Sequence, residues 1–113
     1  MIKIYHNPRC RKSREALNFL QENKHDFEVV LYLEDKLTLT ELKGLIKKLE
    51  IKPMDLIRKE EALWKKEYKS QNLGDAQLIN LMIKEPKLMQ RPIVVKDHKA
   101  VVARPLEALE SLF

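Results

Sequence analysis

Ile2-Lys3-Ile4-Tyr5-His6-Asn7-Pro8-Arg9-Cys10-Arg11-Lys12-Ser13-Arg14 joins a strand pattern to the start of a helix, and the rest of the chain can be read outward from it. Ile2–Tyr5 predicts a first strand. Arg11 to about Asn23 predicts a helix whose apolar face is Ala16, Leu17, Phe19 and Leu20. Phe27-Glu28-Val29-Val30-Leu31-Tyr32-Leu33 is rich in β-branched and aromatic residues and predicts a buried strand. Strand, helix and strand follow one another within about thirty residues. Such a unit pairs its strands in parallel through a right-handed crossover.

Downstream, Thr38-Leu39-Thr40-Glu41 is a capping-box pattern, and Leu39, Leu42, Leu45, Ile46 and Leu49 share one face of the helix it starts. Pro53 begins a short segment through Ile57, and helices are expected over 60–68 and 75–84, the second using Leu78, Leu81 and Met82. Trp64, Met82 and Met89 are expected to pack this helical stretch. Pro92–Val95 and Ala100–Ala103 read as strands around a Lys96-Asp97-His98-Lys99 turn, and Pro105 as the first position of a last helix carrying Leu106, Leu109 and Leu112. The order is βαβ, helices, β-hairpin, helix. A parallel and an antiparallel half in one four-stranded mixed sheet make an α/β chain of thioredoxin/glutaredoxin-like architecture, with a helical insertion of roughly fifty residues.

Cys10 is the only cysteine in 113 residues, so no internal disulfide can form. It stands where a helix begins, and the first turn of a helix offers unpaired N–H groups and the positive end of the macrodipole. Arg9, Arg11, Lys12 and Arg14 surround it. This setting predicts an exposed thiol whose pKa lies below the ~8.5 of free cysteine. His6 with Cys10 could form half of a metal site, but no further ligand is near in the sequence, so no metal is expected. His25 and His98 read as surface residues, and Tyr5 and Tyr32 as core strand residues.

Composition sets the class. An apolar fraction of 44% suits one folded domain over 1–113. No run reaches membrane-spanning length and Met1–Tyr5 is too short for a signal core, so a cytoplasmic protein is expected, with no membrane partner. The net charge of +5 invites nucleic acid. Against that, lysines interleave with acids, as in Arg58-Lys59-Glu60-Glu61, and aromatics make up only 6%, too few for a stacking surface.

The sixteen lysines are scattered, whereas the six arginines are not. Arg9, Arg11 and Arg14 flank Cys10; Arg58, Arg91 and Arg104 each stand at the edge of a predicted element. Arginine is the better bidentate binder of oxyanions. A hairpin turning between Asp97 and His98 pairs Val95 with Ala100, Val94 with Val101, Ile93 with Val102 and Pro92 with Ala103, which sets Arg91 opposite Arg104. Facing like charges cost stability unless both address one anion or an acidic side chain sits between them. Arg91-Pro92 and Arg104-Pro105 are also natural sites for cis peptide bonds.

With His6-Asn7-Pro8-Arg9-Cys10-Arg11-Lys12-Ser13-Arg14, the lone arginine of Leu56-Ile57-Arg58-Lys59, Arg91-Pro92-Ile93-Val94-Val95 and Arg104-Pro105, the chain resembles the glutaredoxin-coupled arsenate reductase (ArsC) family from end to end. The resemblance implies that Cys10 is the nucleophile toward arsenate and that Arg58, Arg91 and Arg104 hold the oxyanion and the arsenylated cysteine. It makes His6, Ser13 and Arg14 polar neighbours of the thiolate that help to bind the substrate. It also implies glutathione as co-substrate, glutaredoxin as partner and no bound cofactor. Arg11-Lys12 stands where these reductases usually carry Gly-Thr, which marks a Cys-x-Lys-Ser-Arg branch. Spx-type regulators share the fold and bind RNA polymerase without catalysis, usually through a Cys-x-x-Cys switch. Ser13 takes the second cysteine's place, so the alternative is a binding role without that switch.

Overall fold

A computed structural model describes residues 1–113. The chain divides into two compact units, one made of Met1–Asp35 and Arg91–Phe113, the other of Lys36–Gln90.

The first unit is built on strands β1 (Ile2–Tyr5), β2 (Phe27–Val30), β3 (Ile93–Lys96) and β4 (Lys99–Val102), with helix α1 (Arg11–Glu22) between β1 and β2. The sheet order is β2-β1-β3-β4. β1 pairs in parallel with β2 and antiparallel with β3, the mixed sheet expected from a βαβ unit followed by a hairpin. Ile2, Ile4 and Val94 turn one sheet face toward Ala16 and Leu20 of α1 and toward Leu109 and Leu112. Alternation along the strands meets helical spacing on α1, so one side of each element supplies this core.

The hairpin register is Ile93↔Val102, Val94↔Val101 and Val95↔Ala100, as the symmetric turn predicts. The strands are each one residue closer to the turn than expected, because Lys96 and Lys99 also pair. The Ala103 N–H still reaches the Pro92 carbonyl at 2.9 Å, extending the ladder toward Arg91 and Arg104. Asp97 takes the positive φ of the turn (56°), a conformation that Asp tolerates better than most residues. Both Arg-Pro bonds are cis.

Two elements of this unit differ from expectation. The strand over 27–33 stops at Val30 and is half exposed rather than buried, because β2 is the sheet edge with only β1 beside it. Leu31 instead opens a turn, its carbonyl accepting from the Glu34 and Asp35 N–H groups. The last helix is a 3-10 segment, Leu106–Ser111, and Pro105 precedes it as N-cap with an extended ψ of 169°. Leu109 and Leu112 are nonetheless buried as predicted.

In the second unit, α2 (Leu39–Leu49) and α3 (Asp75–Lys84) pack against each other, and α3 also meets the single turns Pro53–Leu56 and Pro86–Leu88. Leu42, Leu45, Ile46, Leu78, Leu81 and Met82 are buried, whereas Leu39 lies exposed on the first turn. The helix expected over 60–68 is a π-type turn at Trp64–Tyr68 followed by a 3-10 turn, Lys69–Gln71. Trp64 and Met89 are buried. An antiparallel bridge joins Ile57 to Met89, flanked by bonds from Arg58 N–H to the Leu88 carbonyl (2.7 Å) and from Gln90 N–H to the Leu56 carbonyl (2.8 Å). No helix is long and apolar enough to cross a membrane.

The Thr38 capping box is complete: the Glu41 N–H donates to Thr38 Oγ1 at 3.1 Å and the Thr38 N–H to Glu41 Oε1 at 3.2 Å. Thr38→Ala should therefore lower the unfolding free energy in urea by about 1 kcal/mol, and Thr38→Ser by much less. Equal losses in both variants would show that the hydroxyl is not what holds this end of α2.

Candidate active site

The register collects the site residues of the first unit at one end of the sheet. Val30 pairs with Tyr5, Tyr5 with Ile93, and Ile93 with Val102, so these four positions lie in a row across the four strands. Beyond Tyr5 runs the loop from His6 to Cys10; Arg91 lies two residues before Ile93, and Arg104 two residues after Val102. Strand order thus sets both arginines on the β3–β4 side of the cysteine loop.

Cys10 is the N-cap of α1 and is only 8% exposed, not open to solvent as its basic neighbours suggested. Burial pushes its thiol pKa up. The backbone N–H of Ser13, the Arg91 guanidinium, the Lys12 N–H and the Arg104 guanidinium push it down, and the balance leaves it below the ordinary thiol value. The adjacent side chains, expected to do this work, are engaged elsewhere. Arg11 and Lys12 reach Glu15 at 3.4 and 3.8 Å, and Arg14 Nη1 donates to the Pro8 carbonyl at 2.9 Å. The i,i+4 and i,i+3 spacing to Glu15 was the available signal for two of these.

Ser13 is fully buried and organises the loop. Its Oγ accepts from the Asn7 N–H at 3.0 Å and lies 2.6 Å from Nδ1 of buried His6. A hydroxyl has one proton, which here can go to Nδ1; the arrangement suits a neutral imidazole with its hydrogen on Nε2. Burial, then the charge of Arg14, lowers the His6 pKa and favours that neutral form. Asn7 adds two turn bonds, its carbonyl accepting from the Cys10 N–H and its Oδ1 from the Arg9 N–H, both at 3.0 Å.

Arg91 has Nε and Nη1 buried without a hydrogen-bond partner. Unsatisfied buried donors on a charged group are costly, and a guanidinium so placed can donate to an anion. Arg58 belongs to the second unit. There its Nη1 donates to Glu61 Oε2 at 2.8 Å and its Nε lies 3.8 Å from Glu60, buried without a hydrogen bond of its own. These two acidic partners were not singled out in the sequence, although Glu61 stands three residues from Arg58.

On the β2 side of the cysteine loop, a cleft of about 430 Å³ opens between His6–Arg9 and the turn carrying Leu31, Leu33 and Glu34.

Residues 5–112 match the ArsC family. The chain belongs to the ArsC family. It is 48% identical over 112 residues to the uncharacterised protein YfgD of Escherichia coli K12, covering 94% of this chain and 91% of that protein. An arsenate reductase of Neisseria meningitidis serogroup A is 41% identical over 113 residues, covering 98% and 97%. The solved arsenate reductase of Vibrio cholerae superimposes with a TM-score of 0.93 at 36% identity, covering 99% and 97%. With the mixed four-stranded sheet, these likenesses establish the expected thioredoxin-like ArsC fold.

Two pH effects follow for this ArsC-family protein. Alkylation of Cys10 by iodoacetamide should have a midpoint below ~8.5, and Arg91→Ala should raise it. The stability gained from the depressed thiol pKa is fully present above the unfolded value and is lost as pH falls through the folded one. A midpoint at or above the free value in the parent protein would contradict the site. For His6 the folded form favours neutrality, so its contribution, present above ~6.5, is lost as pH falls from there toward the folded pKa. Unfolding free energy measured between pH ~7 and ~5 should therefore fall less steeply in His6→Asn.

Proposed function

We propose that this protein reduces arsenate to arsenite through Cys10, with glutathione and glutaredoxin supplying the electrons. The observation that carries the reading is a thiolate favoured by helix N–H groups and by Arg91 and Arg104, beside Arg91 nitrogens that are buried without a partner. A thiolate is the nucleophile that attack on arsenic needs, and convergent guanidiniums suit a compact tetrahedral oxyanion. Relatives named arsenate reductase support that choice of anion.

In this reading Cys10 Sγ attacks arsenic(V), and one arsenic–oxygen bond breaks, its oxygen leaving as water. Glutathione adds in the same way with loss of a second water. A glutaredoxin thiolate then attacks the glutathione sulfur, and the sulfur–arsenic electron pair stays on arsenic, making arsenic(III) and a mixed disulfide. Hydrolysis of the remaining sulfur–arsenic bond returns Cys10 and releases arsenite. One arsenate and two external thiols give one arsenite, one disulfide and one water. Arg58 is the third guanidinium of this reading, on its sequence motif alone. His6, Ser13 and Arg14 hold the loop that presents Cys10.

Arsenate-dependent NADPH consumption with glutathione, glutathione reductase and glutaredoxin should be present in the parent protein and absent in Cys10→Ser. Arg91→Lys should lower kcat/KM about ten- to a hundred-fold, the loss expected for charged hydrogen bonds. Thioredoxin alone should support little turnover, because a single cysteine forms no internal disulfide for it to reduce. No arsenate-dependent turnover, together with capture of an RNA polymerase subunit, would replace this reading with the regulator.

A further inference from the structure

We infer that the cleft on the β2 side of the cysteine loop seats the thiol co-substrate, a short peptide thiol that carries both a carboxylate and an ammonium group. The inference rests on the reductase reading above and assigns to it a second binding site, separate from the arginines. A lone cysteine cannot resolve its own adduct, so an external thiol must come close to Cys10 while the anion still occupies the site. The strand order supplies two sides for this. Arg91 and Arg104 extend from β3 and β4 on one flank of the His6–Cys10 loop, and the turn after β2 lies on the other. A thiol arriving on the β2 flank does not compete with the anion for the guanidiniums.

The lining matches such a ligand. Arg9 and Glu34, both exposed, stand at the cleft with opposite charges, and neither side chain makes an ion pair of its own. Arg9 can take a carboxylate and Glu34 an ammonium group, while Pro8, Leu31 and Leu33 give an apolar wall for the methylene chain between them. Leu33 is 38% exposed, an apolar side chain left open to solvent at the cleft. The volume of about 430 Å³ lies within the range of small-molecule sites. One wall is rigid before any ligand arrives, since Asn7 and Ser13 fix the loop through four hydrogen bonds or close polar contacts. A preformed wall lowers the ordering cost of binding.

S-methylglutathione, which cannot exchange with a thiolate, tests the cleft by titration into the ¹⁵N-labelled protein. Amide shifts should change over residues 6–9 and 31–34, and Arg9→Ala and Glu34→Gln should each weaken binding about three- to five-fold. In the coupled assay the same variants should raise the KM for glutathione with kcat nearly constant, and their Cys10 alkylation midpoint should match the parent. Shifts confined elsewhere, or affinity and KM unchanged in both variants, would overturn the inference while leaving arsenate reduction standing. Binding at 6–9 and 31–34 in a protein that does not reduce arsenate would uphold the cleft and overturn the reductase reading instead.

Discussion

The site depends on one electrostatic balance, the one that sets the pKa of a nearly buried thiol below its ordinary value. Moving a thiolate out of water is unfavourable, and at 8% exposure burial is the largest single influence on Cys10. Four groups oppose it, and they come from distant parts of the chain. Two are N–H groups of the first turn of α1, from Lys12 and Ser13, and two are the guanidiniums of Arg91 and Arg104. The helix start alone would leave the outcome to two amides. The hairpin adds two guanidinium charges to that side of the balance. Folding of the sheet is therefore part of the chemistry, because β3 and β4 must be in register before either arginine is in place.

That register is tightly set. A one-residue slip would exchange the faces of every pair and carry exposed Lys99 to the face of buried Ala100. The two-residue turn at Asp97-His98 fixes the offset from one end, and the Ala103–Pro92 bond extends it at the other. The two arginines lie just beyond this ladder, so a hydrophobic constraint on the strands becomes a constraint on charge. Arg91 is the more demanding of the two. Its side chain is partly buried and two of its nitrogens lack partners, whereas Arg104 is exposed and retains water as an alternative.

Much of this was legible from spacing, and what was not has physical causes. The hairpin pairing follows from symmetry about a central turn, which is local information, and it came out residue for residue from Ile93 to Val102. The end of β2 did not, because Phe27–Leu33 carries the composition of a buried strand while its place at the sheet edge is a property of the whole topology. Charge near Cys10 misled for a related reason. Four cations adjacent in sequence looked like the source of the lowered pKa, but three are held by Glu15 and the Pro8 carbonyl. The arginines that act are eighty or more residues away in the chain. Burial of Cys10 was likewise invisible, since it depends on packing around a loop whose own sequence is polar.

The strand order explains why a single cysteine can serve at this position. β1 is central, parallel to β2 on one side and antiparallel to β3 on the other, so its trailing loop lies where the direction of the sheet changes. On the β3 side the neighbouring segments present donors; on the β2 side the Leu31–Glu34 turn bends away, and its Leu33 and Glu34 are exposed. Cys10 thus has an anion-attracting flank and a flank of mixed charge and apolar character. A protein with two cysteines could rely on the first alone and close its cycle internally. In the proposed reaction the second thiol comes from outside, and the proposed cleft lies on the flank of the Cys10 loop away from Arg91 and Arg104.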